Sequence, residues 1–463
     1  MMRGFRSAAV FGLVTAGSTW SAEGAKPELL DLRACIDRAV VAAPEIATAQ
    51  AHLDVREGEL HKAKASRFMP EAGMTNLISP ARDASGKLDS DLPSERVVKE
   101  DTYGVFYRMQ IGFVQPLWTA GKITAGINAA TAGVLAEQAA RSRTTAEVVE
   151  RTKVLYYNVL LARAVRSVVE DSNDAFAKSV EKARELREQN DPKITELDIL
   201  NLRAAAAEVA KEMPRLEAAA ETTLEALRRM MGYAPDAPVD VKDTRLEPDA
   251  AELAPLEQYE AKLFASNPEW SQVNAGVTAK EEEVKRAMAE YYPQVFLRGG
   301  FDYGYAPGRR RQTNPFVYDD YNYLRGPGAG LGVGWKLNFH VTAADVAIKR
   351  AELLAVESER RSAQTGLPVE LRATYRRALQ ARQQIGDLGE GRKAARAILT
   401  FSVANFDVGV GDPAAILQGL GLYSRVSSDY YEVVRDYNLA LAALARIMGE
   451  TTAGTALAAK PKE

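Results

Sequence analysis

Residues 103–117 alternate between large apolar side chains and small or polar ones. A period of two places the two sets on opposite faces of a β-strand. In a water-soluble sheet the apolar face would pack on a core, whereas in an outer-membrane barrel it would face lipid and the polar face would line the lumen. The apolar set is Tyr103, Val105, Tyr107, Met109, Ile111 and Phe113, and the polar set includes Arg108 and Gln110.

A very long helical pattern follows this strand. The strand is expected to end at Pro116, and the helix to run from Thr119 towards Asn190. At about 1.5 Å per residue this helix would be roughly 100 Å long, a length typical of a coiled coil or a helical tube rather than of a compact domain. After a break at residues 190–193, a further helix is predicted from Thr195 to about Met231, with a kink at Pro214.

The same order of elements recurs in the second half. The dipeptide at Pro44 is repeated at Pro268, and residues 295–305 and 331–339 alternate as strands do. These strands place Leu331, Val333 and Trp335 on the apolar side and Arg298, Asp302 and Lys336 on the polar side. The pattern therefore predicts a tandem duplication, each half consisting of helix, strand, loop, strand, long helix, break and helix.

The duplication suggests boundaries along the chain. We expect a first repeat over 28–232, a connecting segment over 233–254, a second repeat over 255–449 and a flexible C-terminal tail over 450–463. Residues 28–68 are predicted to be helical, residues 71–78 to form a weakly alternating strand, and residues 79–101 and 306–327 to be exposed loops. The second long helix is predicted over 342–405, weakened at 366–368, with a last helix over 414–448.

The N-terminus has the pattern of a secretory signal peptide over residues 1–21. Arg3 and Arg6 precede a short apolar run, which is too short to span a bilayer, and small residues precede the expected cleavage after Ser21. No later apolar run reaches the about 18 residues that a spanning helix needs, so a place in a membrane would rest on strands.

Composition and candidate chemistry change this picture little. The net charge of −3 over 463 residues favours neither a nucleic acid nor a membrane surface as partner. The single Cys35 lies in an amphipathic pattern typical of a buried apolar position. His52, His61 and His340 lack ligand spacing, so we expect no metal site, and we find no cofactor motif or catalytic constellation. Arg309, Arg310 and Arg311 would suit lipopolysaccharide phosphate, although a solvated loop explains them as well.

At this point the chain resembles the TolC family of outer-membrane efflux and secretion channels. The resemblance rests on the duplicated Pro-Glu segments, on the turn from strand into helix over 115–122, and on residues 406–409; the return-helix segments 198–200 and 415–417 add to it. It implies a mixed α+β membrane protein, in which four strands per subunit join a trimeric twelve-stranded barrel and long coiled-coil helices form a periplasmic tunnel. It also implies a passive exit duct without enzyme activity.

The resemblance further implies partners. These are outer-membrane lipid, a periplasmic adaptor (membrane fusion) protein and an inner-membrane pump of the RND, ABC or MFS type, in an efflux or type I secretion system of a Gram-negative bacterium. Four strands are too few to close a barrel in one subunit, which independently requires a homotrimer or another oligomer if they lie in a membrane. The alternative is a soluble periplasmic coiled-coil scaffold whose strands pack on their own core.

In the family, the two breaks between long helices form the periplasmic aperture and meet the adaptor. The resemblance places these tips at Asp191, Pro192, Asp198, Val408, Gly409, Val410 and Asp412. Two acidic rings narrow the aperture of well-studied members, but the matching positions here are Ala415 and Gln418. Asp198 and Asp412 could form a substitute ring, or they could simply be charges at helix N-termini.

Overall fold

A computed structural model describes residues 27–68, 71–82, 103–189, 194–251, 253–309, 311, 316 and 318–451. The first half contains β1 (Glu28–Leu30), α1 (Leu32–Ala42), α2 (Pro44–Phe68), β2 (Glu71–Arg82), β3 (Tyr103–Trp118), α3 (Lys122–Glu188), α4 (Glu196–Ala210) and α5 (Glu212–Met230). β4 (Val239–Val241) and α6 (Leu256–Ser266) follow, and then come α7 (Pro268–Met288), a 3-10 turn (Ala289–Tyr291), β5 (Gln294–Tyr305), β6 (Tyr323–Gly334), α8 (Phe339–Asp407) and α9 (Pro413–Ile447).

The four long strands form one antiparallel sheet in the order β2-β3-β5-β6. β3 is central, with Met109 opposite both Asn76 and Tyr303 and with Gln110 opposite both Thr75 and Asp302. β2 and β6 are the two open edges of the sheet within one chain. The register therefore keeps alternate residues of all four strands on the same two faces.

The helices continue this order away from the sheet. α3 packs between α2 and α5 on one side and α7 and α9 on the other, and α8 packs on the far side of α7 and α9. The helical wall is thus ordered α2 with α5, then α3, then α7 with α9, then α8. The helices that adjoin the strands therefore follow the order of the sheet: α2 adjoins β2, α3 adjoins β3, α7 adjoins β5 and α8 adjoins β6.

In each half, the end of the last helix contacts the junction between the first two helices. Gly232, which follows α5, has a φ of +80° and lies against Ala42 before α2. In the second half, the Asn267 side-chain amide before α7 donates to the Ile447 carbonyl at the end of α9 over 2.8 Å. The predicted tandem repeat is confirmed by this internal symmetry.

The largest buried cluster among the described residues surrounds β1 and β4. β1 and β4 pair in parallel, and a buried cluster joins them to α1, α3 and α5 through Leu30, Tyr156 and Leu227. Cys35 lies in this cluster and is fully buried, as predicted. Burial raises the pKa of its thiol to about 12, so the thiolate form is disfavoured at neutral pH.

Of two predictions involving proline, the one for Pro116 was wrong. β3 continues through Pro116 to Trp118, because β2 begins opposite Val114 and leaves the end of β3 as an edge on that side, where a missing N–H is tolerated. The kink predicted at Pro214 is present and lies one turn earlier, at Lys211 between α4 and α5, because Pro214 cannot donate a hydrogen bond to the Ala210 carbonyl.

Three further boundaries differ from the sequence prediction. Glu28–Leu30 is a strand, since it pairs with β4. α8 runs unbroken through Pro368, where the burial of Leu367 and Leu371 in a shared cluster offsets the lost hydrogen bond. Residues 79–82 extend β2 instead of entering a loop, as they pair with the start of β3.

The last strand is also displaced from its prediction. β6 begins at Tyr323, inside the expected loop, and ends at Gly334, which is opposite the first residue of β5. Trp335 and Lys336, predicted as strand residues facing lipid and lumen, therefore lie beyond the sheet. Trp335 donates to the Tyr291 carbonyl over 3.0 Å, and Lys336 pairs with Glu290 at 3.1 Å.

Candidate duct surfaces and helical tips

One face of the sheet is largely apolar, with Asn76 and Gln115 as polar exceptions. The predicted apolar residues of β3 share this face with their cross-strand neighbours on the other three strands. Many of these side chains are exposed in the single chain: Met74, Ile78, Tyr103, Val105, Ile111, Tyr305, Leu324, Leu331 and Val333. An exposed apolar patch of this extent marks a surface that meets lipid or another protein.

The opposite face carries a polar network centred on Asp302. Arg108 contacts both carboxylate oxygens of Asp302, at 2.8 and 3.2 Å, and Gln110 and the Tyr323 hydroxyl each donate to Asp302 over 3.2 Å. Arg298 is exposed on the same face, two residues beyond Gly300. The register thus brings Arg108, Gln110 and Asp302 together, which the alternation alone did not predict.

The end of α8 forms a tight turn around Gly409. Gly409 has a φ of +78°, and its N–H donates to the Phe406 carbonyl over 3.0 Å. A left-handed glycine just after the last helical residue is a common way to end a helix. Val408 and Val410, on either side, are 73% and 74% exposed, which places two apolar side chains in solvent at this tip.

Both acidic candidates at the tips are helix caps. Asp198 accepts hydrogen bonds from the Thr195 N–H over 2.9 Å and from the Thr195 hydroxyl over 2.6 Å, completing a capping box at the start of α4. Asp412 accepts from the Ala414 N–H over 2.9 Å at the start of α9. Their cap geometry is what a helix-end charge requires. An acidic ring stays a prediction, and Asp191 and Pro192 lie outside the described residues.

The two tips lie at the same end of the molecule. Ile194 and Ile199 of the first break share a buried cluster with Phe406 and Ile416 of the second. The cluster also includes Phe176 near the end of α3, so both long helices end together. The described residues at the two predicted breaks are therefore brought into one region.

Ion pairs that the sequence did not indicate connect the helices that adjoin the sheet. Glu290 contacts both Lys122 at the start of α3 and Lys336 after β6. Glu352 of α8 accepts from Lys280 of α7 over 2.8 Å and from Lys349 over 3.0 Å. Hydrogen bonds from Lys280, which has the larger effect, and from Lys349 lower the pKa of Glu352 to about 2. No spacing rule within one segment could have found partners 70 residues apart.

Two searches of the described residues gave negative results. None of the described helices combines the length and hydropathy needed to cross a membrane. Within the same residues, no group of three or more His, Cys, Asp or Glu side chains is arranged to hold a metal ion.

Comparison with known proteins identifies the family. The family model described as outer membrane efflux protein matches residues 35–233 and 261–450, which together are most of the chain and fall one in each repeat. A search of curated proteins found no significant match.

Solved structures of similar fold are outer-membrane channels. VceC from Vibrio cholerae matches with a TM-score of 0.74 and 15% identity over 90% of this chain and 96% of its own. The outer-membrane channel OprN matches with a TM-score of 0.73 and 16% identity over 90% and 89%. CmeC from Campylobacter jejuni gives 0.68 and 14% over 94% and 91%. At these identities the structures show a shared fold, while the family model shows membership: the chain belongs to the outer membrane efflux protein family and is an outer-membrane efflux channel.

Proposed function

We propose that three copies of this chain form a closed exit duct, with a barrel in the outer membrane and a helical tunnel in the periplasm. The observation that carries the proposal is the shared order of sheet and helices. A four-stranded sheet with two open edges continues into a wall of helices with the same two edges. The sheet and the helical wall therefore both have two free edges that a neighbouring copy of the chain would cover.

The open edges of the sheet support oligomerisation. Unpaired backbone groups on β2 and β6 cannot face hydrocarbon, because each would lose its hydrogen bonds to water. The strands alternate in direction from β2 to β6, so β6 of one copy would meet β2 of the next as an antiparallel pair. Three copies of the four strands would close a twelve-stranded barrel without an edge.

Exposed apolar side chains on the edge helices support the same contact. They occur on α8 and on the α2 and α4 side of the wall: Ile348, Leu354, Val369, Leu379 and Phe401 on α8, and Val55, Leu197 and Leu200 on the other edge. Packing α8 of one copy against α2, α4 and α5 of the next would remove these side chains from water. Such burial would supply free energy for assembly.

The sheet faces then acquire distinct roles in the proposal. The apolar face, with Tyr103, Val105, Tyr107, Met109 and Ile111, would contact lipid, and Arg108, Gln110, Arg298 and Asp302 would line the lumen. Arg108 and Asp302 neutralise each other at 2.8 Å, which reduces the cost of two charges in a confined pore.

The tips are proposed to meet the rest of the export system. Val408, Gly409 and Val410 would contact a periplasmic adaptor protein, which links the duct to an inner-membrane pump of the RND, ABC or MFS type. The family consists of channels and is not a family of enzymes, and we propose that this duct is passive and performs no catalysis. Energy for export would come from the pump.

Planar bilayer recording of the purified full chain tests the proposal, together with fractionation of the cells that produce it. We expect heat-modifiable trimers in the outer-membrane fraction and discrete conductance steps in bilayers. Recovery in the soluble periplasmic fraction without conductance would favour the coiled-coil scaffold instead. The family match does not favour that alternative.

A further inference from the structure

A cavity of about 680 Å³ lies beside α9, far along the wall from the sheet. It is bounded by α3, α8, α9 and residues 244–247 of the segment after β4. Its volume is that of typical small-molecule sites. It contains none of the residues assigned above to the lumen, the lipid-facing surface or the tips.

The cavity wall combines buried apolar side chains with polar ones, and one of the polar groups is a fully buried hydroxyl. Val168 and Tyr423 line it and belong to one buried cluster, and Leu246 is also buried. Ser427 lies among them with no exposed surface, and its Oγ has no hydrogen-bond partner in the described part of the chain. Buried hydroxyls are nearly always hydrogen-bonded, so Ser427 points to a polar ligand atom.

The rim of the cavity carries an excess of arginine. Arg163, Arg245, Arg392 and Arg396 line it, against Asp171 and Glu247. Arg163 is paired with Asp240. Among the described residues, the other three guanidinium groups have no carboxylate within ion-pair distance. They are therefore available to an anion.

The Arg392 guanidinium, and the backbone that carries Arg245, are held in place before any ligand arrives. The Arg392 guanidinium carbon lies 4.5 Å from the ring centroid of Tyr430 and 5.2 Å from that of Tyr431. Such stacking orients the planar group and leaves its N–H edge free to bind. The segment that carries Arg245 is fixed by the amide of Asn438, which donates to the Glu247 carbonyl over 3.0 Å and accepts from the Asp249 N–H over 2.9 Å.

We propose that this cavity binds a small phosphate-bearing polyol, such as a sugar phosphate. Guanidinium groups match phosphate oxygens in a bidentate manner, and three unpaired ones suit a dianion better than a single carboxylate. Arg392, Arg396 and Arg245 contact the phosphate, and Ser427 donates a hydrogen bond. Asp171 and Glu247 accept hydrogen bonds from the sugar hydroxyls. The site does not depend on the export role.

Calorimetric titration of the full chain in mild detergent tests the assignment. The probes are glucose 6-phosphate, inorganic phosphate and glucose. We expect glucose 6-phosphate to bind, inorganic phosphate to compete with it more weakly, and glucose not to bind. Arg392→Gln should weaken binding of glucose 6-phosphate at least tenfold, and Arg392→Lys should restore only part of it. Arg382→Gln, an exposed position on the same helix outside the cavity, is the matched control and should bind as the parent does.

Ser427→Ala separates a ligand role from a structural one. Because the hydroxyl has no partner in the free protein, this variant should keep or raise the melting temperature without ligand. It should also lose most of the rise in melting temperature that glucose 6-phosphate produces in the parent. The proposal is overturned if the parent binds neither phosphate probe, if glucose binds equally well, or if Arg392→Gln and Arg382→Gln have the same affinity. It is likewise overturned if Ser427→Ala retains the full ligand-induced rise.

Discussion

At the scale of single residues, Gly409 is the one residue of the described tips with a left-handed backbone. Its φ of +78° costs a residue with a Cβ about 1–2 kcal/mol, and a β-branched side chain more. No neighbouring atom lies within 4 Å of a Cβ placed there, so the strain comes only from the backbone. We expect Gly409→Val to weaken adaptor binding and efflux while trimers still reach the outer membrane.

Gly409→Asn is the control for this prediction. Asparagine tolerates the left-handed region, so it adds a side chain without the same strain. Export and adaptor co-purification should stay near the parent level in this variant. If Gly409→Val also exports normally, the turn at residue 409 is not part of the working tip.

Asp198 and Asp412 allow charge to be tested apart from capping. Asparagine is as good an N-cap as aspartate at position 412, and at position 198 its amide oxygen can accept the same hydrogen bonds from the N-cap residue Thr195. The Asp198→Asn, Asp412→Asn double variant should therefore keep both helix starts. If the carboxylates form an acidic ring, planar bilayers should show less block by multivalent cations in the double variant. An unchanged block would mean that these residues are helix-end charges alone.

At the scale of elements, the two faces of β3 should respond differently to charge. Met109→Asp would place a carboxylate in hydrocarbon and cost on the order of 2 kcal/mol near the bilayer centre. Gln110→Asp should cost less, because this position lies on the polar face, where Arg108 offsets the repulsion from Asp302 directly opposite. Outer-membrane levels of the two variants measure the difference, and equal levels would contradict the assigned faces.

The ion pairs between α7 and α8 should give a pH-dependent contribution to stability. Because Lys280 and Lys349 lower the pKa of Glu352 from 4.5 to about 2, its stabilising effect is fully present above about pH 4.5. That effect is lost as pH falls towards about 2. We therefore expect Glu352→Gln to lower the urea midpoint at pH 7, and the difference from the parent to shrink over this range.

Glu359→Gln is the matched control on α8. Glu359 lies two turns further along the helix, and no ion pair involves it among the described residues. This variant should show no comparable loss between pH 4.5 and 2. A constant difference between Glu352→Gln and the parent down to pH 2 would rule out the ion pairs as the source of stability.

The elements also show which parts of the fold a sequence can reveal. β3 has 16 residues with large side chains, so its alternation was visible, and its apolar and polar sets were predicted correctly as separate faces. β6 is rich in glycine, which has no side chain to alternate, so the pattern became visible only at Leu331 and continued falsely beyond Gly334 to Phe339. β1 and β4 have three residues each and form by pairing across some 200 residues of chain.

The contacts within the candidate site depend on pairing between strands that are far apart in the sequence. Sequence placed Arg108, Gln110 and Asp302 on polar faces, but their contacts require β3 and β5 to pair in one particular register. The cavity with Ser427 gave no signal, because its arginines come from three separate segments. The helix breaks at the tips could be predicted because they are local features of the sequence. The family resemblance then assigned these breaks to the aperture.

At the scale of the whole molecule, the two open edges predict a single oligomeric state. We expect light scattering in mild detergent to report a trimer with no folded monomer, because a monomer would expose unpaired strand edges to detergent or lipid. An edge variant, Ile78→Pro, should reduce trimer recovery by removing a backbone donor from β2. A stable monomer with full strand content would contradict the proposed assembly.

The matching order of strands and helices has a consequence for symmetry. Inside one chain, the first repeat meets the second where β3 joins β5 and where α3 joins α7 and α9. Between chains of the proposed trimer, the second repeat would meet the next first repeat in the same manner, β6 beside β2 and α8 beside α2 and α5. The wall would then have pseudo-sixfold symmetry, with six structurally equivalent units encoded as three covalent pairs. Fusion of the two units lets their sequences diverge, so that adjacent seams around the ring can differ while the barrel remains closed.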